Sequence, residues 1–494
     1  MFLNELNPQQ LEAVRHTEGP LMIVAGAGSG KTRVITYRIA YMIREKNIDP
    51  ENILAITFTN KAAREMRDRV FKMLDHSGSA PLISTFHSFC LRILRQFIGE
   101  LDYTNDFAVY DAQDQLTLVK QCMKRLDVNT DSFPPKAILG HISGFKNDYL
   151  HPDDIKLNNL PYGNKLKAAE VYPFYQEALR KNNALDFDDL LLVAVRLLRD
   201  FKTVRQYCNK TFRYILVDEF QDTNLVQYCL VKILAGKENN VCVVGDDDQS
   251  IYRWRGANLE NILTFENEFA QTRVIKLEQN YRSTQNILNA AGAVVKANVH
   301  RKDKTLWTEN QAGEAIICYK AESDIDEARV AVERILQWNR EEGTLFNDMA
   351  ILYRTNAQSR VIEDQLRQSG VPYLVVGGLR FYERKEIKDI LAYMRVIVNS
   401  ADSVSLKRII NVPARGIGKT TVQKIETYSA QQDISLLEGL KGAVGNRLIG
   451  PAAISKIQSF INILERLDKV YLESSPVDFL KEIMESTGYI VHLQ

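Results

Sequence analysis

The stretch Leu21-Met-Ile-Val-Ala-Gly-Ala-Gly-Ser-Gly-Lys-Thr32 decides the fold of this chain. Its apolar start predicts a strand, and the glycine-rich run predicts a tight loop that opens a helix from Lys31 to about Arg44. Small residues let backbone N–H groups surround phosphates, while Lys31 reaches the β/γ oxygens and the Thr32 hydroxyl ligates Mg²⁺. Ala25 stands where the strict pattern has a glycine. The stretch predicts a site for a nucleoside triphosphate and Mg²⁺, and its alternative is an ordinary strand-to-helix turn.

The composition is that of a globular chain without a global charge. Lys and Arg (63) balance Asp and Glu (62), so a surface for nucleic acid must be a local groove. The 494 residues predict about three domains. The six scattered cysteines include no Cys-x-x-Cys pair, and we expect buried thiols in a reducing compartment. Without a signal peptide or an apolar run of ~20 residues, the chain is expected to be cytoplasmic and to have no membrane contact.

Alternating strands and helices predict an α/β fold, with a parallel sheet covered by helices on both faces. The predicted strands of this first lobe are Leu21–Ala25, Ile53–Phe58, Leu82–Thr85, Tyr214–Val217, Val241–Gly245 and Val274–Leu277. The gap between Thr85 and Tyr214 is too long for one crossover, and helical periodicity fills its middle. We therefore assign residues 1–104 and 186–277 to the first lobe and residues 105–185 to a helical insertion.

The alternation restarts after about Glu278. Predicted strands at Ile316–Tyr319, Met349–Tyr353 and Tyr373–Val376 alternate with predicted helices at Asp326–Arg340 and Gln358–Ser369. Residues 278–383 are thus expected to form the N-terminal part of a second α/β lobe. From about Arg384 the pattern is strongly helical, and residues 384–494 are expected to form a second, truncated helical insertion.

Two further turns supply candidate catalytic groups. Asp218 and Glu219 follow an apolar strand, and ligands of open parallel sheets bind beyond such strand ends. Asp218 would hold Mg²⁺ and Glu219 would polarise the attacking water, although a helix-capping role is the alternative. Gln249, after the next strand, could contact both the γ-phosphate and the water. Of the neighbouring Asp246–Asp248, at least two are expected in a solvated turn.

Arg282, in Gln279-Asn-Tyr-Arg-Ser-Thr284, is a candidate arginine finger. A guanidinium from the opposite lobe would stabilise the transferred phosphoryl group only when the two lobes close. The alternative is an ordinary surface charge.

At this point the motifs resemble a known family, the UvrD/Rep/PcrA group of superfamily 1 DNA helicases. The matching blocks lie in order along almost the whole chain: Leu6-Asn-Pro-Gln-Gln10, Ala25–Thr32, Ile56–Met66, Ser84-Thr-Phe-His-Ser88, Leu185-Asp-Phe-Asp-Asp-Leu190, Asp218-Glu-Phe-Gln-Asp-Thr223, Gly245–Ala257, Gln279–Thr284, Tyr353–Arg360 and Gly377–Lys388. The motifs do not distinguish UvrD, PcrA and Rep.

The resemblance implies two RecA-like P-loop NTPase lobes, each with a mainly helical insertion. It implies an ATP-dependent DNA helicase that moves 3′ to 5′ on single-stranded DNA and acts at single-strand/duplex junctions, with repair or replication proteins as partners. Carried over by position, Gln10 would read the adenine edge, Tyr281 would stack on the base, and Arg33 would lie at the nucleotide. The expected nucleotide-binding set is Gln10, Ala25, Gly26, Ala27, Gly28, Ser29, Gly30, Lys31, Thr32, Arg33 and Tyr281.

Two blocks of the family are absent, one resembling Thr-x-His-x-(Ala/Ser)-Lys-Gly-Leu-Glu and one ending in Thr-Arg-Ala. The second lobe is therefore expected to be incomplete, with weak DNA-stimulated hydrolysis and no robust unwinding. Two other functions remain open. One is an ATP-regulated DNA-binding adaptor, and the other is the motor subunit of a helicase–nuclease.

A track for single-stranded DNA is indicated by aromatic residues in loops at strand ends, since bases of any sequence stack on such rings. The stacking candidates are Phe58, Phe187, Tyr252 and Trp254, and those for phosphate contacts are Thr59, Asn60, Thr85, His87, Arg255 and Arg354. Core packing is the alternative for a single aromatic, and we expect it for Phe86, Phe89 and Phe220.

A second Gly-Lys-Thr occurs in Asn411-Val-Pro-Ala-Arg-Gly-Ile-Gly-Lys-Thr-Thr421. It lacks the small-residue cradle and is not expected to bind ATP. We predict instead a turn that caps the helix from Thr420 and holds one duplex phosphate on Gly416, Gly418 and Lys419. A simple interhelical turn is the alternative.

Overall fold

The structure is a computed structural model that describes residues 2–74, 79–298, 301–376, 382 and 384–493. Residues 377–381 and 383 of the block Gly377–Lys388 lie outside these residues, as does the side chain of Arg255. The chain forms two compact units, residues 1–312 with 389–494 and residues 313–388. The finer four-part division made from the sequence remains a prediction.

All six strands predicted for the first lobe are present, and two short ones accompany them. The described strands are β1 (Leu21–Ala25), β2 (Ile53–Thr57), β3 (Leu82–Thr85), β4 (Ala108–Tyr110), β5 (Ala184–Asp186), β6 (Tyr214–Val217), β7 (Val241–Gly245) and β8 (Arg273–Leu277). Six of them form a parallel sheet in the order β3-β2-β6-β7-β1-β8. The mixed α/β class with a parallel sheet is confirmed.

Alternate residues of each central strand point into different cores, as the two-residue period of a strand requires. Met22 and Val24 of β1 belong to one apolar cluster, whereas Leu21, Ile23 and Ala25 belong to the other. Both clusters are closed by helices, so the strand is buried on both faces. This double burial explains why β1 is an uninterrupted apolar run.

The helices of the first 312 residues follow the predicted alternation. They are α1 (Pro8–Arg15), α2 (Lys31–Arg44), α3 (Asn60–Met73), α4 (Phe86–Phe97), α5 (Ala112–Arg125), α6 (Pro135–Asn147), α7 (Asn164–Lys181), α8 (Phe187–Asp200), α9 (Lys202–Thr211), α10 (Leu225–Ala235), α11 (Glu260–Leu263), α12 (Phe265–Glu268) and α13 (Gln285–Val295). Helix α6 begins at Pro135, directly after Pro134. Proline fits the first turn of a helix because its missing N–H has no partner there.

Helices α5 to α7 lie between β4 and β5, which pair in parallel from Ala108–Ala184 to Tyr110–Asp186. A buried ion cluster joins α6 to the start of α8. Lys146 Nζ lies 2.6 Å from Asp186 Oδ2 and 2.8 Å from Asp189 Oδ1, and the three side chains are at most 2% exposed. The Tyr175 hydroxyl also donates to Asp186 Oδ2 at 3.0 Å. This cluster brackets Phe187, so it fixes the start of α8.

Residues 313–388 contain α14 (Asp324–Glu341) and α15 (Asn356–Gln368), which confirm the two predicted helices. The strands predicted at Ile316–Tyr319, Met349–Tyr353 and Tyr373–Val376 are not formed in this structure. A strand needs a hydrogen-bonded neighbour, and no ladder pairs these segments within the described residues. Several of their apolar side chains are accordingly exposed, including Leu352 at 95% and Leu374 at 87%.

The remaining helices are α16 (Lys385–Val398), α17 (Ser403–Ile409), α18 (Lys419–Gln432), α19 (Leu436–Gly445), α20 (Pro451–Glu473), α21 (Pro476–Ser486) and α22 (Tyr489–Leu493). Helices α16 to α21 contribute to one apolar core. This helical region also meets the α5–α7 insertion, where Tyr110 donates to Asp402 Oδ1 at 2.6 Å and Arg395 lies 2.8 Å from Asp114. The predicted helical character of this part of the chain is confirmed.

Two expectations from composition can be compared with the structure. Cys90, Cys122, Cys208 and Cys242 are buried as free thiols, but Cys318 is exposed because its segment forms no strand. Among the described residues, no helix combines the length and apolar character needed to cross a membrane.

The buried ion cluster leads to a stability prediction. Lys146→Met leaves Asp186 and Asp189 without their cation, and breaking such a pair costs about 3–5 kcal/mol. We expect a clear fall in the urea midpoint, measured by circular dichroism. Lys136→Met, on the exposed side of the same helix, is the matched control and should unfold like the wild type. Equal midpoints for the two variants would contradict a stabilising role for the cluster.

Candidate nucleotide and nucleic-acid site

The candidate site lies at one edge of the sheet. Since its six strands are parallel, their carboxyl ends meet there. Strand β1 leads into the glycine-rich loop, β6 into Asp218 and β7 into Asp246. Strand β7 separates β1 from β6, but side chains that follow β1 and β6 reach across its width. The topology therefore gathers the candidate catalytic turns, as the sequence predicted.

Three glycines of the loop stand where a side chain has little or no room. A Cβ at Gly26 would lie 2.0 Å from Leu306 Cδ2, and one at Gly28 would lie 2.5 Å from Asn280 Nδ2. Gly28 and Gly30 also have positive φ angles, 68° and 88°, which strain other residues. The loop is thus a backbone-lined cradle, the arrangement that binds phosphate through N–H groups.

Lys31 begins α2 and carries the clearest sign of an anionic ligand. Its Nζ is buried and makes no hydrogen bond in the structure. It lies 3.3 Å from Glu219 Oε2, an ion pair without hydrogen-bond geometry. A buried ammonium that lacks hydrogen bonds is costly unless a ligand supplies them. The chemistry of this group fits the β/γ oxygens of a triphosphate.

Asp218 and Glu219 follow β6 in different environments. Asp218 is 4% exposed, and burial, followed by the charge of Glu219, raises the pKa of Asp218 to about 7. Glu219 is half-buried and has a left-handed φ of 51°, a sparsely populated conformation for a non-glycine residue. This backbone turn sends the Glu219 carboxylate towards Lys31. The carboxylate of Asp218 and the hydroxyl of Thr32 are the oxygen ligands that Mg²⁺ prefers.

A chain of hydrogen bonds joins Glu219 to the turn after β7. Gln221 Nε2 donates to Glu219 Oε2 at 2.9 Å, and Gln221 Oε1 accepts from Asp246 N at 2.9 Å. The side chain of Asp246 in turn accepts a hydrogen bond from Gln249 Nε2 through its Oδ2. Gln249 is thereby held in one network with the candidate water-polarising carboxylate.

The expectation of a solvated turn at Asp246–Asp248 is wrong. Their carboxylates are between 0% and 7% exposed, and all three surround the ammonium of Lys304. Lys304 is itself 2% exposed. These are the only three clustered carboxylates in the described part of the chain with metal-like spacing, but the lysine already supplies their cation.

Arg282 lies in a turn fastened to the phosphate loop. Asn280 Nδ2 donates to Ala27 O at 2.6 Å, and Asn280 Oδ1 accepts from Arg282 N at 2.9 Å. Tyr281 N donates to Gly28 O at 3.0 Å. The guanidinium side chain is exposed. Arg282 therefore belongs to the same compact unit as the loop, whereas the sequence placed it on an opposite lobe.

Gln10 is buried beside the loop and anchored by two hydrogen bonds. Its Nε2 donates to Ser29 O at 3.0 Å, and its Oε1 accepts from Asn7 N at 3.2 Å. An amide has two donors and two lone pairs, so one N–H and one lone pair remain. This combination of one donor and one acceptor matches the edge of adenine. Asn7 also donates to the Tyr281 hydroxyl at 2.9 Å, which brings the two candidate base contacts together.

Arg33 lies on the same side but is engaged elsewhere. Its Nη2 lies 2.8 Å from Glu5 Oε2, and that carboxylate also accepts from the Tyr37 hydroxyl. An approaching phosphate would compete with Glu5 for this guanidinium.

The aromatic candidates for the DNA track form two groups. Phe58 and Tyr252 stack with ring centroids 5.1 Å apart, and Trp254 follows at 6.4 Å from Tyr252. Phe187 stacks on His87 at 3.9 Å. Trp254 and Phe187 are 71% and 52% exposed, whereas Phe86, Phe89 and Phe220 are buried in the core as expected. The exposed rings can accept bases.

The candidates for phosphate contacts differ in accessibility. Thr59 and Asn60 are exposed at the start of α3, while Thr85 is buried and caps α4 through Ser88 N. Burial lowers the pKa of His87 to about 4, so at neutral pH its imidazole offers an N–H but no charge. Arg354 belongs to the 313–388 unit, and its exposed side chain lies just before α15.

The second Gly-Lys-Thr begins α18, with Gly418 as its N-cap. Gly416 has a φ of 66° and accepts from Lys456 Nζ at 3.1 Å. Gly416, Gly418 and Lys419 are exposed. The predicted turn is present, and its phosphate role remains a prediction.

Reasoning from the sequence missed Asn280, Gln221 and Lys304. Each acts by orienting other residues, so its type alone carries no signal of chemistry. Asn280 and Gln221 did lie inside quoted blocks, and their polar amides next to catalytic candidates were the available hint. Lys304 lies outside every block, and only its position in space identifies it.

Comparison with known proteins finds family models and relatives that match almost the whole chain. The UvrD/REP helicase N-terminal domain matches residues 6–270, and the UvrD-like helicase C-terminal domain matches residues 275–447. The ATP-dependent DNA helicase PcrA of Staphylococcus aureus strain Mu50 is 46% identical over 490 residues, which cover 99% of this chain and 66% of that protein. PcrA of Staphylococcus epidermidis is 46% identical over 491 residues, with the same coverage. The chain thus spans just under two thirds of the length of these curated relatives.

The cradle leads to a test with a matched glycine. Gly28→Ala should weaken binding of a fluorescent ATP analogue at least ~10-fold, because the new methyl group displaces Asn280 from the loop. Gly19→Ala is the control, since Gly19 has a similar φ of 76° and open space around it. Both variants carry the positive-φ strain, about 1–2 kcal/mol. Unchanged analogue affinity in Gly28→Ala would contradict the assigned cradle.

Proposed function

The chain belongs to the UvrD/Rep helicase family, and on this premise we propose that it is an ATP-driven motor on DNA. In this proposal it hydrolyses ATP, moves 3′ to 5′ along single-stranded DNA and acts at junctions with duplex. Its setting is DNA repair or replication. The direction of movement rests on the family resemblance. The observation that carries the proposal is the buried Lys31 ammonium, without hydrogen bonds, in a glycine cradle.

In the proposed reaction, Lys31 and the loop N–H groups bind the β- and γ-phosphates. Asp218 and Thr32 would hold Mg²⁺, which neutralises charge on the phosphate oxygens. Glu219, oriented by Gln221 and by its left-handed backbone, polarises the attacking water. Gln249 contacts the γ-phosphate from the other side of the same network.

Arg282 completes the proposed site by stabilising the charge that develops on the phosphoryl group. Its backbone is tied through Asn280 to Ala27, so only its exposed side chain has to move towards the nucleotide. Movement of the 313–388 unit during the ATP cycle is the proposed source of translocation. The adenine would lie against Tyr281, with Gln10 at its edge.

DNA would lie across the carboxyl edge of the same sheet. The turn after β7 carries Gln249, and three residues later it carries Tyr252, which stacks on Phe58. A shift of this turn on hydrolysis would therefore move the rings on which bases stack. This short covalent path supports coupling between ATP hydrolysis and movement on DNA.

The nucleotide assignment is tested by Lys31→Ala. We expect loss of DNA-stimulated ATP hydrolysis, since the variant removes the only charge in the loop itself. Lys419→Ala is the matched control for nucleotide binding, because the second Gly-Lys-Thr has no cradle. Its affinity for a fluorescent ATP analogue should equal that of the wild type. Intact hydrolysis in Lys31→Ala would show that the site is misassigned, and DNA binding without any wild-type hydrolysis would favour the adaptor function.

The stacking assignment is tested by Trp254→Ala. Loss of one stacked base should weaken binding of a labelled oligonucleotide by about 1–3 kcal/mol, which is roughly 5- to 150-fold. The salt dependence should stay unchanged because no phosphate contact is removed. Tyr162→Ala removes an 85% exposed ring on the α5–α7 insertion and serves as control. Equal affinity of both variants in fluorescence anisotropy would argue against the track.

A further inference from the structure

The segment 301–307 contacts two parts of the candidate site. It lies outside all the sequence blocks, yet it touches both the turn after β7 and the phosphate loop. Lys304 Nζ lies 2.9 Å from Asp246 Oδ1 and 2.9 Å from Asp248 Oδ2, and it also contacts Asp247. A lysine that is 2% exposed is normally held by specific partners, and here three carboxylates surround it.

Two neighbouring groups add further contacts to the carboxylates of this cluster. Arg301 Nη2 lies 2.8 Å from Asp248 Oδ2, and Lys302 N donates to Asp247 Oδ2 at 2.6 Å. Burial opposes a charge on Lys304, but the carboxylates outweigh it and raise the pKa of the lysine. Lys304 is therefore a charged, buried tie between segment 301–307 and the turn after β7.

One carboxylate of this cluster reaches the candidate catalytic groups. Asp246 uses Oδ1 for Lys304 and Oδ2 for the side-chain amide of Gln249. Its backbone N–H meets Gln221, which in turn donates to Glu219. Loss of the ammonium would leave Asp246 Oδ1 with only the backbone N–H of Asp248, at 3.2 Å, so the carboxylate that holds the Gln249 amide would be less firmly fixed.

The other end of the segment lies against the phosphate loop. Leu306 packs so closely on Gly26 that no Cβ fits between them. Trp307 O accepts from Asn280 N at 2.8 Å, and Asn280 holds Ala27 O. Segment 301–307 thus connects the Gln249 turn to the loop, through Leu306 against Gly26 and through the hydrogen bond between Trp307 and Asn280.

We propose that Lys304 is a positioning residue that sets Gln249 relative to the phosphate loop. This proposal rests on the proposed function, because the loss of Lys304 is expected to affect the ATP hydrolysis step. Lys304 touches neither nucleotide nor water in this proposal, and it acts only through Asp246. Its loss slows hydrolysis while nucleotide binding, which depends on the loop and Lys31, is retained.

The test is steady-state ATP hydrolysis with saturating single-stranded DNA. Lys304→Met should lower kcat at least ~10-fold, with KM and the Kd of fluorescent ADP within about 3-fold of wild type. Lys304→Arg keeps the charge and should restore part of the rate. Lys302→Met is the matched control, because it removes a cation of the same segment whose side chain pairs with Glu266 instead. A kcat for Lys304→Met within about 2-fold of wild type overturns the proposal.

A double-mutant cycle with Gln249→Ala separates positioning from general disruption. If Lys304 acts through Gln249, adding Lys304→Met to Gln249→Ala should lower kcat by less than about 2-fold. Full additivity overturns the proposal. If Lys304→Met does not fold because three carboxylates lose their cation, the double variant Lys304→Met/Asp247→Asn is used instead. It has one carboxylate fewer in the cluster and is judged by the same criteria.

Hydrogen exchange tests the positioning role of Lys304 independently of ATP hydrolysis. Lys304→Met should speed exchange of the amides of residues 246–250 in the absence of nucleotide, whereas Lys302→Met should not. An inactive wild-type protein would refute the motor function, and the exchange result would still decide whether Lys304 fixes the turn. Unchanged exchange in Lys304→Met overturns the positioning role.

Discussion

The close approach of two side chains to the backbone of the phosphate loop is the constraint on which the rest of the site depends. Gly26 and Gly28 leave no space for side chains, so Leu306 and Asn280 can lie directly on the loop. Through Asn280 the loop is tied to the turn that carries Arg282. Because close-packed groups cannot shift independently, a phosphate that bound in the loop would also act on the side chains packed against it.

The parallel sheet places the turns that carry the candidate catalytic groups at one edge, next to the phosphate loop. Glu219 and Gln249 follow different strands, and Gln221 with Asp246 links them by hydrogen bonds of 2.9 Å. The same turn continues into Tyr252 and its stack on Phe58. Lys146 pairs with Asp186 and Asp189, and these ion pairs hold the helix start that presents Phe187. The proposed ATP and DNA contacts are therefore separated by a few rigid residues.

Sequence reasoning succeeded where local pattern and global fold impose the same demand. The four central strands are buried on both faces and had to be apolar runs, and these four and the two edge strands were found within one residue of their ends. It failed for Ile316–Tyr319, Met349–Tyr353 and Tyr373–Val376, whose β-type pattern meets no hydrogen-bonded neighbour in the described residues. It also failed for Asp246–Asp248, because three adjacent carboxylates look solvated until a buried lysine 56 residues beyond Asp248 is placed among them.

By itself the sequence determined the strand-loop-helix around Lys31, the parallel α/β class and the identity of the candidate catalytic groups. These follow from residue types at short spacing, where backbone geometry leaves few alternatives. Only the tertiary structure decided which residues orient those groups, because Asn280, Gln221 and Lys304 act across long stretches of chain. A hydrogen bond or an ion pair depends on distance in space, and distance in space between remote segments is set by packing rather than by local pattern.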